Sequence, residues 1–208
     1  MPLTPIPIGT TPWGALLNGQ IQDLDTRTIA LEAANATRPA DSSLKAWTFD
    51  PATNLVAQVL TTGLLEMVKL PIRTATTITN IVAAISTAGS GLTAGQNWAG
   101  LYSSAGTLLS QTADQTTAWA STGVKTMPLA APQVVAAGSY FVAFVSNGTT
   151  PPQMPRGSSL GIGADLLNIG LTAATARYAT AGTVTTLPSS VTMGSRTTAA
   201  RAWWVAVS

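Results

Sequence analysis

Histidine and cysteine are both absent from the 208 residues, so any chemistry must come from carboxylates, hydroxyls, guanidiniums and aromatic rings. A Ser–His–Asp triad needs an imidazole. Thiolate catalysis and cysteine-held zinc need sulfur. The commonest metal ligand and general base is missing too, so neither a metal site nor a cofactor is expected. Glycoside hydrolysis needs only a pair of carboxylates. Past residue 45 these are Asp50, Glu66, Asp114 and Asp165, each isolated in the chain and none in a recognisable catalytic setting. Gly161-Ile162-Gly163-Ala164-Asp165-Leu166 opens like a dinucleotide fingerprint but lacks its third glycine. Gly89-Ser90-Gly91-Leu92-Thr93-Ala94-Gly95 lacks the Gly-Lys-Ser/Thr ending of a phosphate loop. Both read as turns, and an enzyme is not the expectation.

Binding chemistry has more to work with. Trp98, Tyr102 and Trp119 fall on or beside expected loops. Aromatic faces there could stack on sugars while Asn, Gln, Asp and Thr bond their hydroxyls, or the same rings could be core. Residues 148–163 carry Pro151, Pro152 and Pro155 with a single cation, Arg156, and read as a long exposed loop. A guanidinium on such a loop could bond a carboxylate or sugar hydroxyls, or simply be solvated on a connection.

Three kinds of element must position these residues. Pro2, Pro5 and Pro7 make residues 1–14 an extended arm, since proline fixes φ and donates no N–H. Pro5, Pro7, Ile8 and Trp13 are its expected attachment contacts. Residues 15–38 read as a short helix, roughly 30 Å long, closed by Pro39. Its apolar positions Leu17, Ile21, Leu24, Thr28 and Leu31 alternate steps of four and three. That is a heptad seam. The other faces are mostly polar, and a stripe this narrow suits helix association, three copies before two, although it could instead pack on the rest of the chain.

From residue 39 to 208 short β runs separated by Gly and Pro turns dominate. Strands are expected at 45–49, 55–60, 64–73, 76–86, 97–103, 108–111, 124–128, 139–147, 183–187 and 201–207. Their spacing, with no long helix between them, predicts an antiparallel β-sandwich, jelly-roll-like, as a head domain. Ser139-Tyr140-Phe141-Val142-Ala143-Phe144-Val145 is apolar on both faces and should be a central strand. Residues 166–175 fit a short helix or a strand equally. Trp203 and Trp204 must point to opposite faces of a terminal strand, one into the core and the other under a loop or a neighbouring subunit.

Composition narrows the setting. Charged residues are only 9% of the chain, against roughly 25% in ordinary soluble domains. So few charges fit a protein that buries surface in an assembly or faces an exterior medium. The ten Lys and Arg are scattered and the net charge is +2, so nucleic-acid binding has little support. Residues 74–113 hold no charge but are punctuated by polar residues and glycines, which is no transmembrane helix. Residues 1–12 offer neither the basic nor the apolar part of a secretory signal, which reads as synthesis in a cytoplasm.

A family resemblance rests on three stretches. Pro7-Ile8-Gly9-Thr10-Thr11-Pro12-Trp13-Gly14, followed by Leu16-Leu17-Asn18-Gly19-Gln20-Ile21-Gln22-Asp23-Leu24-Asp25-Thr26-Arg27 and Leu31-Glu32, resembles the attachment ends of minor tail and fibre proteins of tailed bacteriophages, most of all those infecting actinobacteria. Trp98 to Ser110 and Ala137 to Val145 look like strand pairs of the jelly-roll heads in such proteins. The resemblance implies a non-enzymatic virion surface protein, a homotrimer docked on other capsid or tail proteins by its arm. In that setting its head would face a host-surface glycan, with Trp98, Tyr102, Trp119 and Arg156, singled out above from residue type and position, as the possible contacts. The alternative is a capsid decoration protein or head fibre that binds and reinforces the shell.

Overall fold

The computed structural model describes residues 18–27, 37–53, 55–157 and 163–208. It divides into two compact units, residues 1–38 and 39–208. In the first, residues 18–27 are helical, with Ile21 half-buried and Leu24 60% exposed. Pro5, Pro7, Ile8, Trp13, Leu17 and Leu31 lie outside the described residues.

The second unit is mostly β, and its sheets are antiparallel throughout. Its strands are β1 (Ala46–Trp47), β2 (Leu55–Val59), β3 (Leu64–Ile72), β4 (Thr76–Ile85), β5 (Ser90–Tyr102) and β6 (Leu108–Gln111). They continue as β7 (Gly123–Val135), β8 (Gly138–Thr150), β9 (Gln153–Gly157), β10 (Tyr178–Thr183), β11 (Thr197–Thr198) and β12 (Ala206–Val207). One sheet runs β1-β12-β4-β7, a second runs β11-β10-β3-β8-β5-β6, and β2 pairs with β9 alone.

The pairings are nested. β1 bonds β12, β2 bonds β9, β3 bonds β8, β4 bonds β7 and β5 bonds β6. Among the described residues the chain is thus one long hairpin, interrupted on its return arm by the excursion that carries β10 and β11. Cross-pairings of β12 with β4, β8 with β5 and β10 with β3 then join the nested pairs into sheets.

Strand parity builds two cores. Val68, Leu70 and Ile72 of β3, Val142 and Phe144 of β8, and Ala99 and Leu101 of β5 share a cluster with Ile81, Ala83 and Ile85 of β4 and Met127 of β7. That core therefore draws on both large sheets. The alternate residues, Leu65, Met67, Phe141, Ala143, Val145 and Tyr102, form a second core under Leu187, Val191 and Met193. β8 lies between β3 and β5, and residues 141–146 are buried on both faces, as a central strand with both sides covered requires.

Several elements differ from the sequence-based expectation. Residues 148–157 are not an exposed loop: β8 runs to Thr150, Pro151 and Pro152 are buried, and β9 pairs residue for residue with β2. Met154 is fully buried in the main core, which anchors this proline-rich strand. The strand expected at 183–187 is displaced to β10, and of 201–207 only β12 is strand. A short helix, Gly163–Leu167, opens the undecided stretch. β7 extends to Val135 through Pro128 and Pro132 because it is an edge strand of its sheet, where proline is tolerated. Trp203 enters the main core, while Trp204 joins Val82 and Ala206 under Leu44, Trp47 and Phe49. Both indoles are covered by this chain itself.

Candidate functional site

The four residues expected to touch a receptor are not brought together. Tyr102 is fully buried in the second core and its hydroxyl donates to the Pro188 carbonyl at 2.7 Å. Trp119 is fully buried in the other core, on the short helix Thr116–Trp119, with Nε1 3.4 Å from Met127 Sδ and its ring 6.4 Å from Phe144. Neither ring can reach a ligand, which corrects the expectation for both. The cause is burial of large apolar area, on opposite faces of the same sheet. Trp98 is half-buried against the second core, its Nε1 donating to the Gly95 carbonyl at 2.9 Å. Arg156 is half-buried on β9 and donates from Nη1 to the Ala200 carbonyl at 2.9 Å.

The carboxylates serve separate local structures. The Asp50 carboxylate accepts the Ala52 N–H in a turn, and Asp165 lies in the first turn of Gly163–Leu167. Asp114 accepts the Asn97 N–H at 3.1 Å. Burial would raise its carboxyl, but hydrogen bonds with Thr116 and with the N–H groups of Gly95 and Asn97 outweigh that and hold it below the ordinary value.

Glu66 is the exception, 1% exposed on the core-facing side of β3. It accepts from Arg201 Nη1 at 2.6 Å, from the Thr61 N–H at 3.1 Å and from the indole N–H of Trp203. Burial pushes this carboxyl up; Arg201 and the N–H donors pull it partly back. This group ties the C-terminal segment to β3. Arg196 is the other buried charge among the described residues: it donates to the carbonyls of Met193, Ala173, Ala174 and Ala176 and lies 4.4 Å from the Phe141 ring centroid. Burial lowers it to about 10, so it stays a cation near neutral pH.

A pocket of about 310 Å³ opens between β9, β10 and the turn after β1. Phe49, Leu167, Gly157 and Ala202 supply apolar wall, Thr53 a hydroxyl, and Arg177 with Tyr178 the polar side. Asn168 fixes that side. It is buried, its Oδ1 accepts the N–H groups of Arg177 (2.8 Å) and Tyr178 (3.1 Å), and its Nδ2 donates to carbonyls of Ala164, Tyr178 and Ala199. The Arg177 carbonyl is held in turn by the Lys69 N–H of β3 at 2.7 Å. The exposed Arg177 guanidinium lies 5.5 Å from the Tyr178 ring centroid, a cation–π distance. Tyr178 is raised by burial, with Arg177 partly offsetting, so its phenol stays neutral.

Sequence reasoning missed Arg177 and Asn168. The available signal was Arg177-Tyr178, a cation and an aromatic adjacent at a strand start, but nothing in the sequence says that Asn168 locks them. No group of three or more Asp and Glu able to hold a metal ion occurs among the described residues, and no helix among them is long and apolar enough to cross a membrane. No protein-family model matches the chain, and a search of curated proteins finds no match.

Proposed function

We propose that the chain is a non-enzymatic virion surface protein whose residues 39–208 form a jelly-roll head. The observation that carries this reading is strand order. Setting β2, β9, β10 and β11 aside, the sheets run β1-β12-β4-β7 and β3-β8-β5-β6. Eight strands in two facing Greek keys give that order, and the architecture recurs in viral capsid and lectin domains. The main core, with side chains from both sheets, is what a sandwich needs. Fold alone is analogy; the low charge and the separate N-terminal unit add to it.

In this reading the helix associates into a trimer, residues 1–14 dock on capsid or tail proteins, and the head faces a host glycan. The heptad spacing and the exposure of Leu24 suit a seam built for further copies. Gold-labelled antibody against the chain, imaged on intact particles, is the direct test. Label on the tail supports a fibre or minor tail protein, and label on the shell supports decoration. Particles without label would overturn the proposal.

A further inference from the structure

The geometry points to the pocket between β9, β10 and the Phe49–Thr53 turn as a binding site for one carboxylated sugar ring, held through Arg177. This deepens the glycan-facing reading and rests on it for its biological setting; the binding itself does not depend on it.

Size comes first. About 310 Å³ is at the small end of the range for ligand sites, enough for one ring and not for a packed chain. The lining is two-sided. Phe49, Leu167 and Ala202 offer apolar surface suited to the C–H face of a sugar, and Thr53 and Arg177 offer polar groups for its rim.

Charge selects the substituent. Among the described residues no carboxylate lines the pocket; Asp50 and Asp165 belong to adjoining segments. Arg177 makes no ion pair among the described residues, where Arg201 is taken by Glu66 and Arg27 by Asp23. A planar guanidinium matches a carboxylate in two parallel hydrogen bonds, which a neutral sugar hydroxyl cannot reproduce.

Preorganisation is the third support. The backbone of Arg177 and Tyr178 is bonded by Asn168 on one side and by Lys69 on the other, and the guanidinium rests over the Tyr178 ring. A cation placed this way loses little freedom on binding.

The test is calorimetry or saturation-transfer NMR on the full chain, with glucuronate, glucose and acetate as probes. Glucuronate should bind at least about tenfold more tightly than glucose or acetate, and more weakly as salt rises. Arg177→Gln, an exposed position, should erase the preference over glucose. Gly157→Val should block the pocket. The nearest atoms to a Cβ there are Ala202 Cβ at 3.5 Å, Phe49 Cζ at 3.8 Å and the Ala202 carbonyl oxygen at 4.0 Å, ordinary contacts, and the backbone φ is not positive. Circular dichroism checks that both variants keep their β signal.

Absence of glucuronate binding up to about 20 mM, acetate binding as tightly, or unchanged binding by a folded Arg177→Gln would each overturn the proposal. Particles that carry the chain while glucuronate fails to bind would remove the pocket alone. Glucuronate binding by a chain absent from particles would remove only the virion reading.

Discussion

Glu66→Ala should be among the most damaging single changes in the molecule, and the structure gives the size of the loss. The carboxylate is 1% exposed and accepts three donors. Removing it strands the indole N–H of Trp203, which is fully buried and has no route to water. An unsatisfied buried donor costs about 1–3 kcal/mol. The Thr61 N–H belongs to an exposed residue and can rehydrate at little cost. The Arg201 side chain is 25% exposed, so its charge is only partly rehydrated. Together these give about 3–5 kcal/mol, the usual cost of breaking a buried ion pair from one side. Urea unfolding followed by tryptophan fluorescence, with an unchanged slope, measures it. Replacing both partners, Glu66→Leu with Arg201→Met, should cost less than Glu66→Ala, because no charge is left without its partner. The pH dependence has a definite sign. Burial raises the folded carboxyl above its ordinary 4.5, so between the unfolded and folded values the folded chain binds more protons. Stability therefore falls as pH rises through that window, and Glu66→Gln should remove the slope. A loss below about 1 kcal/mol for Glu66→Ala would refute the reasoning, since it would mean the carboxylate is hydrated.

Three further outcomes are expected. Phe144→Ala should cost about 3–5 kcal/mol, because the ring is fully buried in the main core beside Trp119, and the change should also shift tryptophan emission. Gly106→Ala should destabilise by more than about 1 kcal/mol in thermal unfolding: φ is +89° and a Cβ would sit 2.1 Å from the Val191 carbonyl oxygen, so wild-type-like melting would count against this turn. Ile21→Asp should dissociate the proposed trimer in light scattering while leaving the β circular dichroism intact, and an unchanged mass would place self-association elsewhere.

Residues whose own type and spacing settle their environment were legible without a structure. The run from Ser139 to Val145 has apolar side chains at both parities, and only a strand covered on both faces can bury them. Trp203 and Trp204 join separate clusters, as opposite-pointing neighbours were expected to, although both lie outside β12. The antiparallel, mostly β character followed from short runs and frequent turn residues.

Other positions were decided by partners far away in the chain. Pro151-Pro152-Gln153-Met154-Pro155 has the composition of a loop, yet Pro151 and Pro152 are buried and strand resumes at Gln153, because β2 lies beside it and Met154 finds the core. Trp119 looked available to a ligand until the helix Thr116–Trp119 turned it inward against Met127 and Phe144. Glu66 was one isolated carboxylate among four; its cation is 135 residues away and reaches it only because the hairpin closes first on last. Arg177 gained its place in a pocket from Asn168, a residue whose side chain reads as turn chemistry in sequence. By itself the sequence determined that residues 39–208 are mostly β and that runs such as 139–145 are apolar on both faces, because propensity and parity are local. Tertiary structure alone decided which polar groups meet. That depends on register between strands tens of residues apart, where a shift by one residue would send every side chain to the other face.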